Sequence, residues 1–506
     1  GITGSGKTSI YIRLIEKAMA EGRQSILLIP EISLTWQTVD RFYRCFGDRV
    51  AVLNSRLSKG EKSDLFEKVK AKEVDLVIGP RSALFTPFSD LGLIIIDEEH
   101  EPSYQSEVTP RYNARDAAVE RARIEGAYVV MGSGTPSVES MYRCRMGVYA
   151  FFSLKERYGE AVLPEVLVSD MRQELKEGNR TVISRQLRDL MEEKLAKGEQ
   201  IMLFLNRRGH TGFFSCRSCG HVVKCPHCDI SLTLHNDGKL MCHYCGYKEP
   251  MIKLCPECGS PYIGGFSVGT QQVEELVKEL FPKAKVLRMD ADTTKTKDSY
   301  EKILKNFAAG KADILIGTQM IVKGHDFPNV TLVGILAADT SLFAADYRSS
   351  ERTYQLISQA VGRSGRGGKN GQAVIQTYNP EHFAICCAVD QDYEAFYEEE
   401  ISDRQLLDYP PAGHIIAVHG TAEDEQLLEK AMGHLKEYAS SIASPDVRIL
   451  GPSPEVIAKA ADSYRMIMYL RGTDKAGLIK IRRGMEKYIE INKGFSAVSV
   501  QFNLDS

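Results

Sequence analysis

The chain of 506 residues sets 64 Lys and Arg against 67 Asp and Glu, a formal net charge of −3; this excludes a global basic field, so any nucleic-acid contact must come from local grooves, and bulk charge neither supports nor excludes DNA. Its length has room for three or four domains of about 100 to 200 residues, each with its own core, while its longest compact apolar run, Leu93 to Ile96, is far short of the ~18 residues of a membrane helix. Eight of its twelve cysteines stand in Cys-x-x-Cys pairs, which fits thiolate metal ligands in a reducing cytoplasm better than a secreted disulfide framework.

Residues 1–8 lack the basic start and apolar core of a secretory signal. They read GITGSGKT, a G-x-x-x-x-G-K-[ST] loop, and Thr8 to Ala20 continues as a helix with Ile10, Leu14, Ile15 and Ala18 on one face. Gly1, Gly4 and Gly6 let backbone N–H groups turn toward phosphate oxygens, and the helix N-terminus adds its positive dipole end. Lys7 is placed to reach the β- and γ-phosphates and Thr8 to ligate magnesium, so ATP and Mg²⁺ are the expected cofactors. Short apolar strands then alternate with helices, at Ser25 to Ile29, Asp75 to Ile78, Leu93 to Ile96 and Tyr128 to Met131. Arg81, in a Gly-Pro-Arg turn at a strand end, is a candidate contact to a nucleic-acid backbone. The third strand ends in Asp97-Glu98-Glu99-His100, at the edge where a parallel sheet presents its ligands. Asp97 suits magnesium and Glu98 the attacking water.

A second alternating set has strands at Ile201 to Leu205, Lys285 to Met289, Asp313 to Ile316, Thr331 to Leu336 and Ala373 to Gln376. The cysteine segment interrupts it as an insertion at residues 212–263. Two Cys-x-x-Cys knuckles complete one zinc tetrahedron, so eight cysteines imply two structural zinc ions without an open position for substrate. Asn236-Asp237-Gly238 is a hairpin signal that folds the second knuckle onto the third, pairing Cys225 and Cys228 with Cys242 and Cys245. Cys216, Cys219, Cys255 and Cys258 then share the other ion. Sequential pairing or an iron-sulfur cluster is the alternative.

His221, His227 and His243 are expected at the surface or facing DNA, because the thiolates already fill both sites. With eight thiolates and two zinc ions the module's charge comes to −1, so its aromatics, Phe213, Phe214, Tyr244, Tyr247 and Tyr262, are the better handle for unpaired bases, with burial in a small core as the equal alternative. Cys45, Cys144, Cys386 and Cys387 are read as ordinary packed or surface residues.

Farther on, QAVGRSGR at residues 359–366 brings Arg363 and Arg366 three apart as candidate arginine fingers. After Tyr409-Pro410-Pro411 the order is strand, helix, strand, strand, helix, strand, from His414 to Phe502, a split βαβ pattern. The chain thus divides into residues 1–150, a first α/β lobe; 151–200, a connection; 201–400, a second lobe with the zinc insertion; and 401–506, a C-terminal α+β domain.

GITGSGKT, DEEH, GSGTPS at 132–137 and QAVGRSGR, in that order, resemble superfamily 2 helicases. With the eight cysteines, PEISLT at 30–35, GPRSALF at 79–85 and GTQMIVKGHDFPN at 317–329, the whole chain resembles the primosomal replication-restart helicases. The resemblance implies two RecA-like lobes, ATP-driven 3′ to 5′ unwinding of forked DNA, and partners that include single-stranded DNA, single-strand-binding protein, primosome proteins and helicase loaders, in the bacterial cytoplasm at the nucleoid. It also implies the nested zinc pairing. The segment from Glu101 to Arg115, with Tyr104, Arg111, Tyr112 and Arg115, resembles the family's aromatic-rich loop that couples DNA to hydrolysis. The family carries a strand before the phosphate loop, an N-terminal DNA-binding region and a winged helix, so the chain is expected to be N-terminally truncated; Gly134 stands where the family has alanine.

A zinc-dependent assembly platform with little unwinding, or an inactive truncated motor, is the competing reading. An RNA helicase is disfavoured by resemblance alone, since nothing in the motor motifs reads a 2′-hydroxyl.

Overall fold

The computed structural model describes residues 5–30, 36–55, 57–106, 111–154, 163–205, 213–228, 230–235, 237–265, 268–290, 292–294, 297–322, 327–344, 346–365 and 370–505. In the first lobe, five parallel strands lie in the order Val50–Val52, Leu76–Gly79, Gln24–Leu28, Leu91–Asp97, Tyr128–Gly132. Strands buried on both faces read as unbroken apolar runs, and alternation sends successive side chains to opposite sides. Ile26, Leu28, Val77, Ile94 and Ile96 accordingly pack with Ala114, Ala118 and Ala122 of one flanking helix. Leu27, Ile78, Leu93 and Ile95 pack with Tyr11 and Ile15 of the helix Lys7–Ala20 on the other side. That second layer sets the phosphate-loop helix against the carboxylate end of the strand Leu91–Asp97.

The second lobe is a six-stranded parallel sheet in the order Val286–Met289, Ile314–Gly317, Gln200–Leu205, Val330–Leu336, Gln372–Thr377, Glu165–Asp170. Its last strand lies in the stretch read from sequence as a connection. Glu165–Asp170 occupies an edge, with one neighbour, so its polar ends carry none of the apolar signature of the central strands. The helix Arg185–Ala196 follows, capped by the Ser184 side chain, and buries Leu187 and Met191 against the sheet.

Within the insertion, Phe214–Cys216 pairs with Ile263–Gly265, and Thr233–Leu234, Lys239–Met241 and Lys248–Pro250 make a small antiparallel sheet. The C-terminal domain is a four-stranded antiparallel sheet, ordered Arg448–Ala460, Ser463–Gly472, His414–Ala422, Ser499–Leu504, with the helices Glu425–Ile442 and Lys475–Ile491 over one face. This is the split βαβ order. The edge strand of this sheet runs the full length from Arg448 to Ala460. Proline donates no ladder hydrogen bond and is tolerated at edges and bulges, and this edge strand shifts register between Leu450 and Ser453 and again after Pro454.

The zinc insertion and the C-terminal domain share one core. Tyr409, Ile415 and Tyr469 pack among Cys225, Cys228, Cys242 and Tyr244, and the rings of Tyr244 and Tyr469 stack with centroids 4.4 Å apart. Among the described residues no helix is long and apolar enough to cross a membrane. Truncating a buried aromatic costs about 3 to 5 kcal/mol. Tyr244→Ala should therefore loosen the C-terminal domain, seen as faster proteolysis around the exposed Leu406 with the motor lobes left intact.

Candidate nucleotide site and metal centres

Gly6 adopts a left-handed conformation, φ +83°, at the N-terminus of the helix that opens with Lys7 and Thr8, a turn glycine permits without strain. The Lys7 Nζ donates to Glu98 Oε1 at 3.0 Å. The Tyr11 hydroxyl, one turn along, donates to Asp97 Oδ1 at 2.9 Å. Gly132 makes this possible, because a Cβ there would overlap the Tyr11 hydroxyl. Burial and the neighbouring Glu98 charge push Asp97 up to about 6, against Lys7 and Tyr11. Burial acts on Glu98 in the same direction, but Lys7 and His100 outweigh it and bring Glu98 down to about 2. Burial also opposes the Lys7 ammonium, yet Glu98 and Asp97 keep its pKa above the ordinary lysine value. Gly1, Gly4 and Arg366 lie outside the described residues.

Glu98 itself has φ +48°, so the chain turns sharply and the next two side chains point elsewhere. Glu99, 2 % exposed, accepts from Arg115 Nη1 at 2.9 Å, from the Ser137 N–H at 2.7 Å and from Ser140 Oγ at 2.9 Å. Despite burial, Arg115 and the Ser137 N–H hold it below the usual carboxylate range. His100 places Nδ1 2.6 Å from Ser133 Oγ and Nε2 2.8 Å from the side-chain amide nitrogen of Gln359 in the second lobe. Arg363, four residues beyond Gln359, is close enough for its charge to act on both Lys7 and Glu98. The acidic segment is therefore tied to the phosphate loop, to the 132–137 segment and to the second lobe.

The eight thiols gather into two groups, Cys216, Cys219, Cys255 and Cys258, and Cys225, Cys228, Cys242 and Cys245, each with all sulfurs within 4.8 Å. Zinc-thiolate bonds of ~2.3 Å in a tetrahedron give sulfur separations of ~3.8 Å. Observed separations are 3.6 Å for Cys216 to Cys258, 3.6 Å for Cys219 to Cys255 and 3.5 Å for Cys225 to Cys245. The donor sets fit zinc, and the nested pairing is the one adopted. Four thiolates per site leave no corner for a substrate, so the metals would fold the insertion.

The candidate DNA contacts behave differently from their sequence expectation. Tyr104 is 1 % exposed and its hydroxyl donates to the carbonyls of Leu28 and Asp97, so it braces the carboxylate strand from inside and has no face for a base. Arg115 is held by Glu99 and Ser137. Arg81 Nη1 donates to the Ser103 and Gln105 carbonyls, fastening the loop that follows DEEH. Arg111 reaches Gln501 of the C-terminal domain, and Tyr112 meets Phe85 edge-on at 5.1 Å.

In the insertion Phe213, Phe214 and Tyr244 are buried while Tyr262 is exposed, and Tyr247 donates to Glu249. His243, expected at the surface, is 3 % exposed, with Nδ1 3.0 Å from the Pro454 carbonyl; the long edge strand covers it. Tyr11, Glu99, His100 and Gln359 were not singled out from sequence, although the last three lie inside recognised motifs.

Two RecA-like lobes with a phosphate loop, a paired acidic segment and an arginine motif facing it define a superfamily 2 helicase motor. Family models match as DEAD/DEAH box helicase over residues 1–143, helicase conserved C-terminal domain over 264–368, PriA DNA helicase Cys-rich region domain over 225–250 and primosomal protein N C-terminal domain over 405–505. Replication restart protein PriA of Bacillus subtilis is 49 % identical over 99 % of this chain and 63 % of its own length. The Treponema pallidum and Rickettsia felis proteins of that name are 39 % and 36 % identical, over 93 % and 95 % of this chain and 71 % and 74 % of their own. The chain belongs to the PriA family of replication restart proteins.

The nested clusters predict how zinc is lost. Cys225→Ser with Cys242→Ser should remove one zinc per chain by elemental analysis, whereas Cys216→Ser with Cys225→Ser should remove both; sequential pairing would reverse the two results.

Proposed function

We propose that this chain carries the motor and the assembly surface of an ATP-dependent 3′ to 5′ DNA helicase that engages stalled or abandoned replication forks and starts primosome assembly. The observation that carries this reading is the approach of Gln359 and Arg363 of one lobe to His100, Glu98 and Lys7 of the other, which would make hydrolysis depend on lobe closure. Gly1, Gly4, Gly6, Lys7 and Thr8 would hold the ATP phosphates, with Mg²⁺ on Thr8 and Asp97. Glu98 would orient and deprotonate the attacking water; as Lys7 turns to the phosphates, Glu98 loses the partner that lowers its pKa and becomes the stronger base. Arg363 and Arg366 would meet the γ-phosphate. Arg81, Tyr112 and Arg111 border the loop proposed to sense single-stranded DNA, with Tyr104 and Arg115 relaying from beneath it.

The zinc module, cemented to the C-terminal domain, supports the second reading, an assembly platform for single-strand-binding protein, primosome proteins and helicase loaders in the bacterial cytoplasm, at the nucleoid. The two roles separate on mutation: Cys225→Ser abolishing recruitment while ATP turnover persists would favour the platform. For the motor, ATP turnover should rise on adding forked DNA, and Lys7→Ala should reduce it to background. Wild-type turnover in Lys7→Ala, or no response to DNA, would overturn the motor.

A further inference from the structure

One helix of the second lobe, Ser349–Val361, grips the first lobe twice. Near its end, Gln359 donates to His100. Two turns earlier Glu351, 4 % exposed, accepts the backbone N–H of Val138 on Oε1 at 3.0 Å. Val138 is the first residue of the first-lobe helix Val138–Arg145, and the cap of that helix, Ser137, is the residue held by Glu99. The eight residues from Glu351 to Gln359 span about 12 Å at 1.5 Å per residue, so the helix bridges the cleft at two separated points. Arg363 follows one turn beyond.

We propose that Glu351 is a positioning residue for ATP hydrolysis: its bond to Val138 fixes where this helix stands along the first lobe, and hence where Gln359 and Arg363 stand against Glu98 and Lys7. The proposal rests on the ATPase reading above.

Neighbouring contacts explain why Glu351 can hold this place. Its Oε2 accepts Arg404 Nη2 at 2.6 Å, and Gln355 Nε2 donates to Oε1 at 3.1 Å. Arg404, 2 % exposed, also donates to Glu400 at 2.7 Å and to the Pro410 carbonyl at 3.0 Å, at the entrance to the C-terminal domain. Arg348, one turn before Glu351, donates to Glu139 of the first-lobe helix at 2.8 Å and to the Asp505 carbonyl at 3.0 Å. A buried carboxylate persists only when it is paired and hydrogen-bonded, and here its charge is met by the second lobe while its remaining acceptor reaches across the cleft. The seat of the C-terminal domain and the closure of the lobes thus meet at one side chain.

Two variants of the full chain separate positioning from charge balance. Val138→Pro removes the donated N–H, leaves Glu351 with Arg404, and places proline at the first helical position, where it is tolerated; Ser137 before it is already extended, at ψ 147°. Glu351→Gln keeps an oxygen for Val138 and removes the charge. With forked DNA present, Val138→Pro should lower kcat for ATP by roughly ten- to a hundredfold while KM for ATP moves less than about twofold, because the phosphate-binding groups lie on the first lobe. Glu351→Gln should lose thermal stability yet keep kcat within about threefold. Wild-type kcat in Val138→Pro, or equal kcat losses in both variants, overturns the proposal. Absence of ATP turnover in the unmodified chain overturns the underlying ATPase reading as well, and Lys7→Ala marks that background.

Discussion

Four consecutive ionisable residues, Asp97 to His100, leave the end of a buried strand, and burial obliges each to find a partner. Each finds its own. Asp97 takes Tyr11, Glu98 takes Lys7, Glu99 takes Arg115 with Ser137 and Ser140, and His100 takes Ser133 and Gln359. The left-handed turn at Glu98 lets the side chains diverge, so a short segment is wired to the phosphate loop, the DEEH-following loop, the 132–137 segment and the opposite lobe. Phosphoryl transfer depends on positioning and charge stabilisation, and in the proposed reading this segment is where position is set.

The strongest chemical requirements were legible in the sequence. A phosphate loop needs glycines and a lysine at fixed short spacings, and zinc needs thiolate pairs on tight turns, so such groups appear as contiguous motifs. The hairpin signal at Asn236 to Gly238 even pointed to the cluster pairing, and the sulfurs gather in those same two groups. Partners across the fold leave no such trace. Nothing near His100 announces Gln359, more than 250 residues away, and Glu351 reads as one more charge on an amphipathic helix.

Where sequence misplaced residues, a neighbouring element had covered them. Tyr104 sits in a polar loop and reads as a surface aromatic, but its hydroxyl is drawn under the sheet by two strand-end carbonyls. His243 was left to the surface because the thiols fill the metal sites; the strand Arg448–Ala460, extended past two prolines, closes over it, and Ser453 donates to its carbonyl. The edge strand Glu165–Asp170 was hidden by its polar ends. The same covering joins the insertion to the C-terminal domain through the core around Tyr244, Tyr409 and Tyr469, so that a four-thiol cluster and the C-terminal domain share one packed unit.

Sharing of the hydrolytic centre between lobes is tested most directly by a double-mutant cycle on His100 and Gln359, reading kcat/KM for ATP with DNA present. Residues acting through one hydrogen bond should couple by about 1 kcal/mol or more, leaving the double variant about as slow as the slower single one. Effects that add to within about 0.3 kcal/mol would contradict it and leave the two lobes chemically independent at this contact.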